Sequence, residues 1–421
     1  MLPVKGFKEL PNNIVNIDNR AKVLRSAVIY GANASGKSNV LKALTEFIDF
    51  IINSTDNKLN DPVGLYDPFL LNKASGNRPA EFNIEFLLNK VRYVYNISCN
   101  GESILSEHLS YYPKGQVVRI YDRENITEFK YGTILKGEKK SIENRLLNNQ
   151  LYLTKAANEN LEFLVDLYNY FNGFNAVLNR ISGMSEYISM GTVIGSVLKE
   201  EGDVYLKKFE NIITAFDVGI QSVKIRKNTR DKSLASLLPE GAFTHISSNL
   251  LTKEIPELEY EIVTVHKLLN EKSDVIEYVE FTLDKESAGT KNLFTLALLL
   301  LEHFKAGSAM IIDEFEKSLH PQIVQKLVQL FHDPDLNINN AQLIFSTHAI
   351  NLLDNNLFRR DQMWFTEKDE NGVTDLYSLS QVEGVRKDVP YDKWYLSGRF
   401  GATPILYEPD INFGDDLQKG E

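Results

Sequence analysis

One loop constrains this chain more than any other feature, within the segment AVIYGANASGKSNVLKAL from Ala27 to Leu44. The first four residues are apolar in character and predict a short buried strand, and Val40 and Leu44 share one face of a predicted helix. Between them, Gly31 and Gly36 permit backbone conformations that a Cβ atom would penalise. A GxxxxGK[ST] loop between a strand and a helix indicates a phosphate-binding loop.

The same loop contains groups suited to binding a nucleoside triphosphate. Backbone amides from Asn33 to Lys37 are expected to turn inward as a nest of donors at the helix N-terminus. The Lys37 ammonium suits the β- and γ-phosphates, and the Ser38 hydroxyl suits Mg²⁺. The predicted nucleotide-binding residues are Gly31, Asn33, Ala34, Ser35, Gly36, Lys37, Ser38 and Asn39, and the predicted cofactors are a nucleoside triphosphate and Mg²⁺.

Bulk composition excludes several other classes of protein. Among 421 residues, 43% are hydrophobic and 24% charged, as in ordinary soluble globular proteins. The single cysteine, Cys99, excludes an intramolecular disulfide framework and a zinc site built only of cysteines. No apolar run is long enough to span a membrane, and no apolar segment typical of a secretory signal follows the N-terminus. We therefore expect a cytoplasmic protein that does not enter the membrane.

The charge balance bears on nucleic-acid binding. A formal net charge of −11 argues against a surface that coats nucleic acid non-specifically. A local basic stretch, Lys224 to Arg230, leaves this alternative open, although no aromatic side chain is interleaved with it to stack on bases. A nucleic-acid partner is therefore an alternative that the net charge does not support.

A second motif completes the predicted site. In AMIIDEFEKSLHP an apolar strand ends in Asp313 and Glu314, the usual companions of a phosphate loop. Asp313 is predicted to hold Mg²⁺, and Glu314 to orient or deprotonate the attacking water. In LIFSTHAINLL another core strand ends before His348, whose imidazole is suited to sensing the γ-phosphate.

A fourth segment, LDKESAGTKNLFTLALLLL, opens a long apolar helix. Ser287 is a good N-cap for that helix, and Gly289 leaves the backbone open to a ligand. Capping alone accounts for the serine. It does not account for Ser-Ala-Gly-Thr-Lys just upstream of the Asp-Glu strand.

Together these motifs resemble the ABC-type ATPase heads of SMC and RecF proteins, in the order of that family. GANASGKSN resembles the Walker A loop, ESAGTKNL the signature motif, MIIDEFE Walker B, KSLHP the D-loop and STH the switch histidine. The resemblance covers nearly the whole chain, and it implies that the nucleotide is ATP and that Ser287 and Gly289 belong to its binding site. It implies an α/β fold: a P-loop core sheet, an antiparallel β lobe and a helical insertion.

The resemblance also implies a division of the chain into three parts. Residues 1–140 are expected to form an N-terminal ATPase lobe in which residues 79–135 alternate like β strands. Residues 141–234 are expected to form a helical insertion. Residues 235–421 are expected to form a C-terminal ATPase lobe with the signature, Walker B and the switch histidine. One departure is the Q-loop, because no glutamine occurs between Ser38 and Gln116.

More narrowly, STHAINLLDNNLFRRDQMWFTEKDENGVTDLYSLS and VRKDVPYDKWYLSGRFGATPIL are similar to small ATPases of bacterial phage-defence modules, the RloA/AbiL type related to PARIS-like ATPase subunits. This similarity implies an ATP-hydrolysing switch that dimerises, or forms a higher homo-oligomer, and controls a separately encoded nuclease or toxin in abortive infection. The alternative is a RecF-like DNA-repair or DNA-processing ATPase, for which a strongly basic face is expected.

Overall fold

The following bounds come from a computed structural model, which describes residues 1–17, 21–185, 190–217, 219–227 and 260–404. The strands are β1 (Ile14–Asn16), β2 (Lys22–Leu24), β3 (Ser26–Gly31), β4 (Ala80–Leu88), β5 (Val91–Cys99), β6 (Ile104–Tyr112), β7 (Val118–Glu124), β8 (Glu128–Tyr131), β9 (Ser222–Lys227), β10 (Tyr260–Leu269), β11 (Val275–Thr282), β12 (Ala309–Ile312), β13 (Gln342–Ser346), β14 (Met363–Lys368) and β15 (Thr374–Ser378). The helices are α1 (Lys37–Asn53), α2 (Lys139–Glu143), α3 (Tyr152–Asn158), α4 (Glu162–Ser185), α5 (Met190–Glu201), α6 (Asp203–Phe216), α7 (Ala288–Ala306), α8 (Pro321–His332) and α9 (Tyr391–Leu396).

The central sheet has the strand order β12-β13-β3-β14-β15. Its first four strands are parallel, and β15 pairs antiparallel with β14. Every residue of β3 is buried, as expected of a strand in the middle of a sheet whose faces are both covered. The carboxyl ends of β12, β13 and β3 therefore meet at one edge, which is where ligands bind in open parallel sheets.

Helix α1 joins this sheet to a second, wholly antiparallel sheet of order β4-β5-β6-β7-β8. The helix contacts β3, β12 and β13 of the central sheet. Its apolar residues Phe47, Ile48 and Ile51 belong to the same buried cluster as Tyr95 and Ile97 of β5. The structure thus confirms the mixed α/β fold class, with a P-loop core sheet, an antiparallel lobe and helices inserted after it.

The inserted region is helical from α3 to α6, and then becomes strand. Within the range 141–234, β9 pairs with β10, which pairs in turn with β11. The helical stretch therefore ends at Phe216, because Val223 and Ile225 alternate with polar residues at the period of a strand. Residues 228–234, the last part of the predicted insertion, lie outside the described residues. So do 235–259 and 405–421 of the predicted C-terminal lobe.

The basic stretch is partly neutralised within this small sheet. Lys224 on β9 forms an ion pair with Glu280 on β11, at 3.0 Å. Arg226 forms another with Glu261 on β10, at 2.9 Å. The end of the basic stretch, residues 228–230, lies outside the described ranges, so the structure adds no support to the nucleic-acid alternative.

Among the described helices, none combines the length and apolar character that a membrane span requires.

Candidate functional site

The loop between β3 and α1 has the backbone shape that its glycines predict. Gly36 lies at φ +108° as the N-cap of α1, and Ala34 also has a positive φ, at +60°. Asn33, Ala34, Ser38 and Asn39 are exposed at this helix N-terminus. The first amides of a helix have no partner within the helix, so they are free to bind an anion there.

The hairpin β14–β15 packs against this loop and forms hydrogen bonds with it. The Ser35 hydroxyl lies 2.6 Å from the Thr366 hydroxyl, and the Thr374 hydroxyl donates to the Ser35 carbonyl at 2.9 Å. A Cβ on Gly31 would lie 2.4 Å from the Thr366 hydroxyl oxygen, and one on Gly36 would lie 2.5 Å from that of Thr374. Close packing within the chain therefore favours glycine at both positions, and the positive φ of Gly36 adds a conformational reason there.

Lys37 lies inside the curve of the loop. Its side chain is only 6% exposed, and its ammonium donates to the carbonyls of Gly31 at 2.9 Å and Ala32 at 3.0 Å. Burial lowers the pKa of Lys37, while the negative charges of Asp313, Glu314 and Glu316 oppose that change. The predicted carboxylates at the end of β12 thus act electrostatically on the predicted phosphate-binding lysine.

Asp313 is held in its ionised form by neighbouring donors. Partial burial disfavours its charge, but hydrogen bonds from the Ser346 hydroxyl, the Ser38 hydroxyl and the Glu314 amide outweigh that effect and lower its pKa. The Lys37 charge acts in the same direction. Asp313 and Ser38, the two predicted Mg²⁺ ligands, are therefore neighbours even though 275 positions separate them in the sequence.

The loop after β12 is also tied to the end of β13. Glu314, at φ +51°, donates its backbone N–H to the Ser346 hydroxyl at 2.9 Å. The next amide, of Phe315, donates to the Ser346 carbonyl at 3.2 Å. The backbone N–H of His348 donates to Glu316 Oε1 at 2.6 Å. Glu314 and His348 are both exposed, so their side chains are accessible to a ligand at this edge.

These donors and acceptors suit a magnesium nucleotide. Mg²⁺ in such sites is usually bound by one or two protein oxygens, with phosphates and waters completing its shell. Asp313 and Ser38 supply a carboxylate and a hydroxyl side by side. This pair fits an ion whose remaining ligands come from a nucleotide and water. Among the described residues, no cluster of three or more His, Cys, Asp or Glu side chains is found.

The predicted signature residues lie at the start of α7. Ser287 is the N-cap, and its hydroxyl accepts from the Thr290 amide at 3.1 Å. The side chain of Ser287 is exposed. A Cβ on Gly289 would lie 2.6 Å from the carbonyl oxygen of Ser318, in the loop after β12. This close approach gives a reason for glycine at position 289 that the sequence did not reveal.

Several residues that the sequence analysis left out contribute to the site. Ser346 precedes the Thr-His pair of the quoted STH motif, and it bridges Asp313 and the Glu314 amide. Glu316 follows Glu314 by two positions, so the third acid of DEFE was the available signal. Thr366 and Thr374 carried no signal in the sequence, because only the pairing of β14 beside β3 brings them to the loop.

Comparison with protein families identifies this arrangement. Residues 26–354 match the family described as AAA domain, putative AbiEii toxin, Type IV TA system. The match spans more than half of the chain, from β3 through the loop that follows β13. The chain belongs to this AAA family. Comparison with curated proteins finds no significant match.

Three of the solved structures that match this chain are SMC heads. One is an SMC head bound to the C-winged helix domain of ScpA, with 17% identity, a TM-score of 0.39, and coverage of 87% of this chain and 95% of that chain. The SMC head domain from Thermotoga maritima has 16% identity, a TM-score of 0.34, and coverage of 85% and 92%. An SMC head with coiled coil and joint from Pyrococcus yayanosii has 15% identity, a TM-score of 0.26, and coverage of 52% and 35%.

Proposed function

We propose that this chain is an ABC-type switch that binds and hydrolyses ATP, dimerises around ATP and controls a partner effector in anti-phage defence. The observation that carries the proposal is the convergence of Lys37, Ser38 and Asp313, with Glu314 beside them, at one edge of the central sheet. The family description, which names a putative AbiEii toxin and a type IV toxin–antitoxin system, supports the link to abortive infection.

Each side chain has a role that follows from its chemistry. Lys37 is a fixed positive charge for the β- and γ-phosphates, and it leaves its two loop carbonyls to meet them. Ser38 and ionised Asp313 would hold Mg²⁺, which when bound neutralises charge on the phosphate oxygens. Exposed Glu314 orients or deprotonates the attacking water, and His348 contacts the γ-phosphate.

The signature residues act on the second nucleotide of the dimer. Ser287 is exposed at the N-terminus of the 19-residue helix α7, where an anion is favoured. In the proposed dimer that anion is the γ-phosphate held by the opposite chain. Each composite site combines Lys37, Ser38, Asp313, Glu314 and His348 of one chain with Ser287 and Gly289 of the other. Because a two-fold dimer repeats every contact, two such sites form at once.

We also propose a biological setting for this switch. We place the chain among ATPases of the RloA/AbiL type, acting in the cytoplasm as a homodimer or higher homo-oligomer. Its effector is a separately encoded nuclease or toxin. The three-part division at residues 140 and 234 is proposed with it, the first and last parts forming the ATPase head and the middle part an inserted arm.

The first experiment measures ATP binding and turnover of the purified chain. Lys37→Ala should lose both, because it removes the charge that meets the phosphates. Glu314→Gln should bind ATP with little change yet hydrolyse it about 10²-fold more slowly or worse, the usual scale for losing a general base. Unchanged turnover in Lys37→Ala refutes the phosphate-loop assignment, and loss of binding in Glu314→Gln makes Glu314 structural.

The second experiment tests the dimer by sedimentation. Glu314→Gln should form a dimer that requires ATP, and adding Ser287→Arg should abolish it. Ser397→Arg, at an exposed serine after α9, is the matched control and should leave the dimer intact. A dimer that survives Ser287→Arg shows that Ser287 does not act across the interface.

The third experiment tests the effector. The chain is expressed in a bacterial host together with its neighbouring reading frame, and the cells are challenged with phage. Protection that disappears in Glu314→Gln, with both proteins still expressed, supports the proposed switch. Equal protection by Glu314→Gln contradicts control of the effector by hydrolysis.

A further inference from the structure

The Glu316 side chain contacts the His348 backbone, and no role has been assigned to it in the proposed reaction. It follows Glu314 by two positions in the loop between β12 and α8. Its Oε1 accepts the backbone N–H of His348 at 2.6 Å. The bond joins the loop after β12 to the loop after β13, which are separated by 32 positions in the sequence. The carboxylate therefore fixes the backbone from which the His348 imidazole projects.

The other oxygen of Glu316 is in an unusual state. Oε2 is shielded from solvent and has no hydrogen-bond partner among the described residues. A buried carboxylate oxygen without a partner is costly, and such groups in native proteins generally have a reason. The charge of Glu316 also acts on Lys37, whose pKa it raises against the effect of burial. Glu316 thus lies within electrostatic reach of the proposed phosphate site.

Tyr30 adds a second polar atom in the same region. Its side chain is 1% exposed, and its hydroxyl has no hydrogen-bond partner among the described residues. Burial raises the pKa of Tyr30, and the charge of Glu316 raises it further. Lys37 and Tyr30 therefore both respond to the charge of Glu316, yet among the described residues the only direct polar contact of the Glu316 side chain is with the His348 backbone.

We propose that Glu316 is a positioning residue, which holds the His348 backbone so that the imidazole meets the γ-phosphate. This inference rests on the proposed function. A charge-assisted bond from a backbone amide is short and directional, and at 2.6 Å this one restricts His348 more than a neutral bond would. Glu316 acts through the histidine and not on the reacting atoms themselves.

The test is a double-mutant cycle in ATP hydrolysis. Glu316→Ala should lower kcat about 10- to 100-fold, the loss expected of one charge-assisted hydrogen bond, with KM changed less than about threefold. His348→Ala should be at least as slow. The double variant should be no slower than His348→Ala, because groups that act through one another are not additive. Glu102→Ala, an exposed glutamate in the turn between β5 and β6, is the control and should match wild type.

A conservative variant separates position from charge. Glu316→Gln keeps an oxygen acceptor for the His348 amide but removes the charge that acts on Lys37. Turnover well above that of Glu316→Ala supports positioning, because the neutral acceptor still holds the His348 amide, although less firmly than the carboxylate does. Turnover as low as that of Glu316→Ala shows that charge is what matters and overturns the inference.

The remaining outcomes are also decisive. Multiplied effects in the double variant show that Glu316 acts independently of His348 and overturn the inference. A large drop in melting temperature with unchanged kcat assigns Glu316 a structural role and overturns it too. A wild-type chain that hydrolyses ATP while Glu316→Ala is equally active refutes this inference alone. A wild-type chain that neither binds nor hydrolyses ATP refutes the proposed function, and the inference with it.

Discussion

The Ser346→Ala substitution should damage the site although Ser346 is not proposed to contact the nucleotide. Ser346 is fully buried, and its hydroxyl both donates to the Asp313 carboxylate and accepts from the Glu314 amide. A hydrogen bond to a charged group contributes about 1.5–3 kcal/mol. Glu314 is exposed, so water can replace the lost acceptor there. We therefore expect Ser346→Ala to lower the free energy of unfolding by about 2 kcal/mol, in the lower half of that range.

The same substitution should change turnover and its dependence on pH. In Ser346→Ala, Asp313 loses a hydrogen-bond donor that lowers its pKa and fixes the position of its carboxylate. Because this carboxylate is a proposed Mg²⁺ ligand, Mg²⁺-dependent kcat/KM should fall about 10- to 100-fold. A lowered carboxylate pKa stabilises the folded state above the unfolded value of 3.8, and that stability is lost as the pH falls through the folded value. The stability difference between wild type and Ser346→Ala should accordingly be largest at neutral pH and shrink below about pH 4.

The assay combines thermal melting with steady-state ATP hydrolysis. A loss of about 2 kcal/mol corresponds to a drop in Tm of roughly 2 °C for a chain of 421 residues. Ser98→Ala is the control, because this half-buried serine on β5 makes no side-chain hydrogen bond to another described residue. If Ser346→Ala melts with wild type and hydrolyses ATP within about twofold of it, the link between β12 and β13 does not organise Asp313.

Two further predictions concern the loop and the core. Gly36→Ala should weaken ATP binding at least ~10-fold by calorimetry, because φ is +108° and the added Cβ would lie 2.5 Å from the Thr374 hydroxyl oxygen; Gly64→Ala, in open space, should bind normally. Burial lowers the pKa of His332 to about 3 and that of His303 to about 4, so the unfolded chain takes up protons first as the pH falls below 6.5. Each histidine should reduce the stability of the folded state by about 2 kcal/mol at pH 5. A Tm that is unchanged between pH 7.5 and pH 5 would contradict both pKa values.

The sequence predicted the central elements because their signals are local. The strand before the phosphate loop, the helix after it, and the strands that carry Asp313 and precede His348 are each marked by an apolar run that ends in a turn or cap. The elements lie where these signals predict them; β12, for example, ends at Ile312 and leaves Asp313 in the loop that follows. The antiparallel lobe was equally readable, because its strands alternate at a period of two.

The sequence did not predict the groups whose roles depend on pairing between distant segments. Thr366 contacts Ser35 across 331 positions, a contact that exists only because β14 lies beside β3. The strand β9 was also missed, since its short alternating run follows a long helical region and is completed by pairing with β10. Propensity describes single segments, whereas these features belong to pairs of segments.

What the sequence determined by itself is therefore the set of chemical groups: a loop able to bind phosphate, a carboxylate pair, a histidine and a capped helix, each with its own local signal. What only the tertiary structure decided is how those groups constrain one another. Parallel strands bring their carboxyl ends to a common edge, so Ser38 meets Asp313 and Glu316 meets the His348 amide. Hydrogen bonds of this kind depend on distances of about 3 Å between atoms, and no pattern along one segment specifies such a distance to another.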